Sequence, residues 1–455
     1  MNSKERKFYK ENLNQVLHTT LNPYQPGVVR IHLIPAKYEP LKANPSIVIL
    51  NGKDIIPINL AWTILLAIFI KEVNAYKGKE VTEEELKEVI EKTLDKMQKI
   101  YRVPGREIIR KDLNRIISVF IDISEGKQPK EKIGQLSIGK YASKMEAPHR
   151  IDLMISSMTK NGNWNCNQKC LHCYAAGQTY ADKEELSTDE WKKIIDKCRQ
   201  SNIPQLTFTG GEPTKREDLV ELIDYSKWFV TRLNTNGVLL TKELCEKLND
   251  ASLDSVQVTF YSANKVEHNK LVGADNFDRT VEGIKNAINA GLPLSVNTPL
   301  CSINKDYKAT LEYLNKLGIK YFSCSGLIVT GNAIKEGSKE TQLSEEELYN
   351  ILKEACEYAN ENLMEISFTS PGWIGEKKLK ELGLDIPNCG ACLSNMAIAP
   401  DGEVVPCQSW LSKEAGLGNM LTTKWEDIWN NPKCKKQRGY SSKSLGKCPL
   451  KEGGC

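Results

Sequence analysis

The chain has 455 residues, 62 of them basic and 58 acidic, for a formal charge of +4; that length predicts two or three domains. The charges are interspersed and form no concentrated basic stripe, which excludes a bulk electrostatic partner such as nucleic acid. Fourteen cysteines behind a polar N-terminus with no secretory or transit pattern point to a reducing, cytoplasmic setting, where thiols serve metals or catalysis rather than disulfides.

In chain order, Gly27 to Pro35, Ser46 to Leu50 and Ile55 to Ile58 read as strands of a small meander, with Asn51-Gly52 as a turn dipeptide. Asn59 can cap the apolar helix that follows. That run, Asn59 to Val73, is too short to cross a bilayer of about 30 Å, so no membrane partner is expected. Thr82, three residues before Glu85, marks a second helix through a capping box. Leu113 to Ile123 continues a helix, and Ser124 to Ala147, rich in Gly, Lys and Pro, reads as a linker. Beyond Arg150, strands are predicted at Ile151 to Ile155, Gln205 to Phe208, Phe229 to Asn234, Ser255 to Tyr261, Leu292 to Pro299 and Ile319 to Cys324. Helix-length segments such as Thr188 to Arg199, Lys242 to Leu248 and Phe277 to Ala290 run between them. Repeated strand-helix units give an α/β class with a parallel sheet and helices outside. In barrels of this kind, sites gather at the C-terminal strand ends.

Three motifs carry the chemistry. Cys166-Asn-Gln-Lys-Cys170-Leu-His-Cys173 places three thiolates on one tight loop, which suits a cubic iron-sulfur cluster and leaves its fourth iron without a protein ligand. The competing reading is structural zinc, for which only His172 offers a fourth ligand. Thr209-Gly210-Gly211-Glu212-Pro213 comes directly after a predicted strand, where adjacent glycines let backbone approach a ligand closely. The third motif is Cys389-Gly-Ala-Cys392, then nine residues to Gly402 and four to Cys407. Asp401-Gly402 is expected to turn a hairpin that brings Cys392 and Cys407 together. Cys448 and Gly453-Gly454-Cys455 follow, with Cys434 isolated between.

The Cys-x3-Cys-x2-Cys loop followed by Tyr174, with Gly-Gly-Glu-Pro after the next strand, resembles the signature of the radical S-adenosylmethionine (SAM) superfamily. The resemblance implies a partial (β/α)6 barrel and a 4Fe-4S cluster on Cys166, Cys170 and Cys173 whose unique iron is chelated by SAM. It further implies a 5'-deoxyadenosyl radical that abstracts hydrogen from substrate, and an external electron donor such as flavodoxin or ferredoxin. Gly210, Gly211 and Glu212 match positions that hold the methionyl part of SAM, Ser262 matches one that faces it and Asn297 one that contacts SAM; Asn236 closes a strand where related enzymes place groups near SAM. Gly326 to Gly331 resembles the adenine-contacting segment. His268 could be read as a base, but its loop more simply positions structure.

The downstream cysteines resemble the SPASM extension, or its shorter form, twitch. This implies one auxiliary 4Fe-4S cluster on Cys389, Cys392, Cys407 and Cys455, with Cys448 as the alternative for one of these, because the family's full cysteine run is missing. The N-terminal strands and helices resemble the winged-helix-like peptide-recognition domain of ribosomal-peptide maturases, where a leader peptide adds a strand at a sheet edge. The expected domains are 1–103 for peptide recognition, 104–148 for a helical bridge, 149–370 for the barrel and 371–455 for the auxiliary cluster. The expected reaction is an intramolecular thioether or carbon-carbon crosslink in a ribosomally made precursor peptide. Alternatives are epimerisation with Cys324 or Cys301 as hydrogen donor, modification of a small metabolite or tetrapyrrole, and a non-catalytic metal-cluster scaffold. Both donor candidates are predicted at strand C-termini facing the cavity, against the simpler reading of cysteine as a small buried hydrophobe.

Overall fold

The structure is a computed structural model, and it describes residues 2–21, 29–36, 45–76, 82–124, 127, 129, 136–160, 163–443 and 447–451. The chain divides into two units, Met1–Lys144 and Met145–Cys455. Among the described residues, no helix is long and apolar enough to cross a membrane.

In the first unit, α1 (Ser3–Asn12) precedes a four-stranded antiparallel meander of β1 (Leu17–Leu21), β2 (Val29–Ile34), β3 (Ser46–Leu50) and β4 (Asp54–Ile58), in that spatial order. Asn51 and Gly52 both take positive φ, 48° and 69°, as the primed hairpin turn requires. Pro57 cannot donate to a ladder, and it sits on β4, an edge strand. The helices are α2 (Leu60–Asn74), α3 (Glu83–Ile100), α4 (Arg106–Ser124) and the short α5 (Ile138–Tyr141). The Asn59 side chain accepts from the Trp62 N–H, and Thr82 with Glu85 forms the reciprocal capping box. α4, which the sequence pattern assigns to a bridge, buries Ile109, Leu113, Ile116, Val119 and Phe120 in the core of this unit with α2 and one sheet face.

The second unit is built on one sheet in the order β13-β12-β11-β10-β9-β8-β5-β14-β15. Its chain order is β5 (Arg150–Ser156), a small hairpin of β6 (Thr159–Lys160) and β7 (Asn163–Trp164), α6 (Thr188–Gln200), β8 (Gln205–Gly210), α7 (Leu219–Tyr225), β9 (Val230–Thr235) and α8 (Lys242–Asp250). Next come β10 (Ser255–Thr259), α9 (Lys265–Val272), α10 (Phe277–Asn289), β11 (Leu294–Pro299), α11 (Tyr307–Lys316), β12 (Tyr321–Ser325), α12 (Glu345–Glu361) and β13 (Glu365–Phe368). The C-terminal part adds α13 (Glu376–Glu381), β14 (Asn395–Ile398), β15 (Val404–Val405), α14 (Trp425–Asn430) and α15 (Pro432–Lys443).

The barrel strands pair in parallel throughout. Their helix side is apolar and fully buried, with Leu206, Phe208, Leu233, Val256, Val258 and Val296. The opposite side is polar: Gln257 donates to Ser323 Oγ at 3.2 Å, and Ser323 donates to Asn297 Oδ1 at 2.9 Å. β13 is a seventh parallel strand beyond the six read from sequence. β14 pairs in parallel with β5, so the hairpin of the cysteine-rich segment extends the barrel's own sheet.

Candidate functional site

The loop carrying Cys166, Cys170 and Cys173 follows β5 and is gripped from two sides. Lys169 and Leu171 donate their N–H groups to the carbonyls of Val272 and Leu271, each at 2.9 Å. From the other side, Asn332 donates its N–H to the Cys173 carbonyl at 2.8 Å and its Nδ2 to the Cys170 carbonyl at 3.2 Å. Two glycines make this close packing possible: a Cβ on Gly273 would lie 2.4 Å from Lys169 O, and one on Gly331 would lie 2.4 Å from the carbonyl oxygens of Cys173 and Tyr174. The segment expected to face adenine thus also clamps the cysteine loop, a role its sequence did not announce.

The three thiols lie close enough for their charges to interact. Burial pushes the Cys166 thiol up to about 12, with the Glu212 carboxylate and the Cys173 thiol adding to the rise. Cys170 is raised by burial first and then by Cys173 and Cys166. Thiols crowded and desolvated in this way become thiolates only with a cationic group between them. Among the described residues, no three His, Cys, Asp or Glu side chains converge tightly enough to hold a single metal ion. His172, the ligand zinc would need, turns its Nε2 to Thr341 Oγ1 at 2.6 Å. With His172 engaged by Thr341, the three thiols of the loop fit a cluster better than a four-ligand zinc site.

Gly210 and Gly211 end β8 beside this loop. Gly210 has φ +146°, and a Cβ there would meet Ser156 O at 2.5 Å; one on Gly211 would meet Ser157 O at 2.9 Å. The glycine pair is thus required by the packing of β8 on β5 before any ligand is considered. Glu212 is almost fully buried, which raises its carboxyl pKa against the opposing pull of its donors. Its Oε1 accepts from Thr214 N–H at 3.0 Å, Thr214 Oγ1 at 2.6 Å and Thr235 Oγ1 at 2.6 Å; its Oε2 accepts from Asn236 N–H at 2.8 Å. Asn236 in turn donates Nδ2 to Asn167 Oδ1 at 2.6 Å, within the cysteine loop. The ends of β8, β9 and the loop form one hydrogen-bonded unit.

Asn297 lies on the polar side of the barrel. Ser262 is engaged locally, accepting from Asn264 N–H at 3.0 Å and donating to Glu267 Oε2 at 2.7 Å. The His268 ring is fully buried against Phe260, centroids 4.7 Å apart, and burial lowers its pKa to about 4, so it is a neutral packing group.

Cys324, one of the two expected hydrogen donors, does not face the cavity as predicted. Cys324 pairs in register with Thr298 and Phe368 on the helix side of the sheet. It is fully buried near Tyr307 of α11 and Cys356 of α12, and its Sγ donates to the Ser367 carbonyl at 3.6 Å. The strand's period of two decides this: Ser323 takes the polar side, so Cys324 cannot. Cys301 is also fully buried, donating to Asn304 Oδ1 at 3.2 Å within a cluster that includes Tyr261, Leu271 and Val272.

The second thiol group forms around the β14–β15 hairpin. Gly402 turns it at φ +88°, and Cys392 N–H donates to the Pro406 carbonyl at 3.2 Å, which sets Cys392 beside Cys407. Cys407 is raised by burial and then by the charges of Cys389 and Cys448. The group is tied to the first loop, since Tyr174 Oη donates to Gln408 Oε1 at 3.3 Å and Gln178 Nε2 to the Ser409 carbonyl at 3.1 Å. Cys455 lies outside the described residues. Cys434, isolated in sequence, is fully buried against Cys392. The signal that could have found it is Arg438 one helical turn later, with Nη1 3.4 Å from Cys434 Sγ.

A parallel barrel with a thiol loop at its C-terminal rim and a second thiol group on an appended hairpin defines an iron-sulfur enzyme. Residues 165–314 match the radical SAM superfamily, and residues 389–451 match SPASM, an iron-sulfur cluster-binding domain. The chain is a radical SAM enzyme with a SPASM domain, and its cofactors are S-adenosylmethionine and 4Fe-4S clusters. It is 29% identical over 305 residues to the AdoMet-dependent heme synthase of Methanosarcina barkeri, covering 63% of this chain and 85% of that protein. Its fold is similar to that of Streptococcus suis SuiB bound to the precursor peptide SuiA, with TM-score 0.59 and 17% identity over 91% of this chain and 93% of that one. It is also similar to anSMEcpe with bound AdoMet, with TM-score 0.52 and 16% identity over 65% and 84%.

Proposed function

We propose that this enzyme matures a ribosomally made precursor peptide, forming an intramolecular thioether or carbon-carbon crosslink. The observation that carries the reading is the first unit, an antiparallel sheet with β1 and β4 at its edges followed by helices, β1 being the edge with no proline to interrupt a ladder. Such an edge can take an added peptide strand. The fold similarity to peptide-bound SuiB extends over nine-tenths of the chain, whereas the heme synthase alignment covers 63% of it.

Cys166, Cys170 and Cys173 would hold the cluster that receives S-adenosylmethionine. When bound, the pair supplies a 5'-deoxyadenosyl radical able to take a hydrogen atom from the substrate. Glu212 and Asn236 fix the rim on which Gly210 and Gly211 present backbone, and Asn297 offers an amide from the polar face of β11. Cys389, Cys392 and Cys407 would hold the auxiliary cluster, and a small electron-transfer protein such as flavodoxin or ferredoxin would supply reducing equivalents. Asn332 and Leu271 keep the first loop in register.

The heme synthase similarity favours a second reading, in which a tetrapyrrole is the substrate. Mass spectrometry separates the two. The anaerobically reconstituted enzyme is given SAM and either a precursor peptide encoded beside its gene or an iron porphyrin. Loss of two hydrogens per modification in the peptide supports crosslinking. An unchanged peptide with porphyrin turnover overturns it, and a one-dalton gain in deuterated water without mass loss in ordinary water indicates epimerisation.

A further inference from the structure

We propose that Cys434 is a ligand of the auxiliary cluster, and that α15 is the element that both completes and tunes that centre. The inference rests on the reading that Cys389, Cys392 and Cys407 hold a cluster. It departs from the expectation that the fourth ligand comes from the C-terminal tail.

The argument starts from one helical face. Residues 434, 437, 438 and 441 stand at i, i+3, i+4 and i+7, a single stripe of α15, and each reaches a sulfur. The Cys434 thiol meets Cys392 directly. Gln437 Nε2 donates to Cys389 Sγ at 3.9 Å, and Ser441 Oγ approaches the same sulfur at 3.7 Å while lying 2.8 Å from the Ala391 carbonyl. Arg438 Nη1 donates to Cys434 Sγ at 3.4 Å.

This stripe is held rigidly. The Arg438 guanidinium lies 3.8 Å over the Trp429 ring, and both Nη atoms donate to the Trp429 carbonyl at 3.2 Å. Trp429 is anchored by its Nε1 to the Met145 carbonyl at 3.1 Å. Cys434 and Cys392 are both fully buried, so neither sulfur is placed for exchange with solvent. A half-buried cation on Cys434 and two neutral side chains on Cys389 form a shell that stabilises thiolates. Donors to cluster sulfurs offset negative charge and favour the reduced state, raising the potential.

The test uses full-length chain carrying Cys166→Ala, Cys170→Ala and Cys173→Ala, so that only the auxiliary centre loads. Cys434→Ala is compared with Cys407→Ala and Cys448→Ala by iron and sulfide content and by electron paramagnetic resonance of the reduced state. The proposal expects Cys434→Ala to lower iron per chain about twofold or more and to change the resonance, as loss of a ligand does. Loss of iron in Cys407→Ala and Cys448→Ala with full iron and an unchanged spectrum in Cys434→Ala overturns it. Full iron in Cys407→Ala overturns the underlying cluster reading instead. Ser441→Ala and Gln437→Leu keep the ligands, so they also serve if Cys434→Ala does not fold. They should retain iron and shift the reduction potential to more negative values. An unmoved potential in both removes the tuning role.

Discussion

Gly331→Ala tests whether the shape of the first cysteine loop is imposed by the chain that follows β12. Gly331 has φ +58°, and a Cβ there would stand 2.4 Å from two main-chain oxygens of the loop. The left-handed backbone costs alanine about 1–2 kcal/mol. Relieving the contact requires backbone to move, which adds about 1–3 kcal/mol as at other overpacked sites. Gly177 is the internal control, since it has φ +79° but nothing within 4 Å of its added Cβ. Urea unfolding of the full-length proteins without cofactors should show a loss of about 2–5 kcal/mol for Gly331→Ala and about 1–2 kcal/mol for Gly177→Ala. Asn332, the next residue, holds the carbonyls of Cys173 and Cys170, so the displaced turn should take the thiols with it. Reconstituted Gly331→Ala is therefore expected to lose iron from the first site and keep the auxiliary centre. Equal destabilisation of the two variants, with full iron in both, would refute the clamp.

Three further outcomes follow from the same geometry. Glu212→Gln turns an amide N–H toward a hydroxyl or backbone donor that a carboxylate accepts, so it should cost about 1–3 kcal/mol and weaken SAM binding in equilibrium dialysis; unchanged stability and affinity would count against the rim network. His268 has its pKa lowered to about 4 by burial, so the unfolded chain takes up its proton first as pH falls, and stability is lost downward from about pH 6.5. Between pH 7 and pH 5 its share is about 2 kcal/mol, which His268→Gln should remove from the pH dependence of the urea midpoint; parallel profiles would contradict the assignment. Cys324→Ala should cost about 1–2 kcal/mol as a small core deletion while product formation by the folded enzyme continues. A stable Cys324→Ala protein without turnover would restore the hydrogen-donor reading.

Local chemistry was legible where it depends on short spacing. Cys166, Cys170 and Cys173 lie within one loop, Asn51-Gly52 turns the first hairpin, and the Thr82–Glu85 box starts α3, because each involves residues a few positions apart. The strand-helix alternation fixed the parallel sheet for the same reason. β13 escaped notice because Glu365–Phe368 is four residues long and carries no clear period.

Side-chain direction and long-range convergence were decided only by the folded chain. Whether Cys324 faces the cavity depends on strand register, and a shift of one residue reverses it; pairing with Thr298 and Phe368 settled it against the sequence expectation. The glycine pair at Gly210 and Gly211 reads in sequence as a ligand cradle, yet Ser156 at the end of β5 and Ser157 just after it already exclude a side chain there. Cys434 is separated from Cys392 by an entire hairpin and helix, so no spacing rule links them. The sequence by itself determined the class of cofactor, because thiolate spacing within a loop is a local property. Only the tertiary structure decided which distant groups surround each thiol, because that depends on how β14 joins β5 and how α15 folds back over the hairpin.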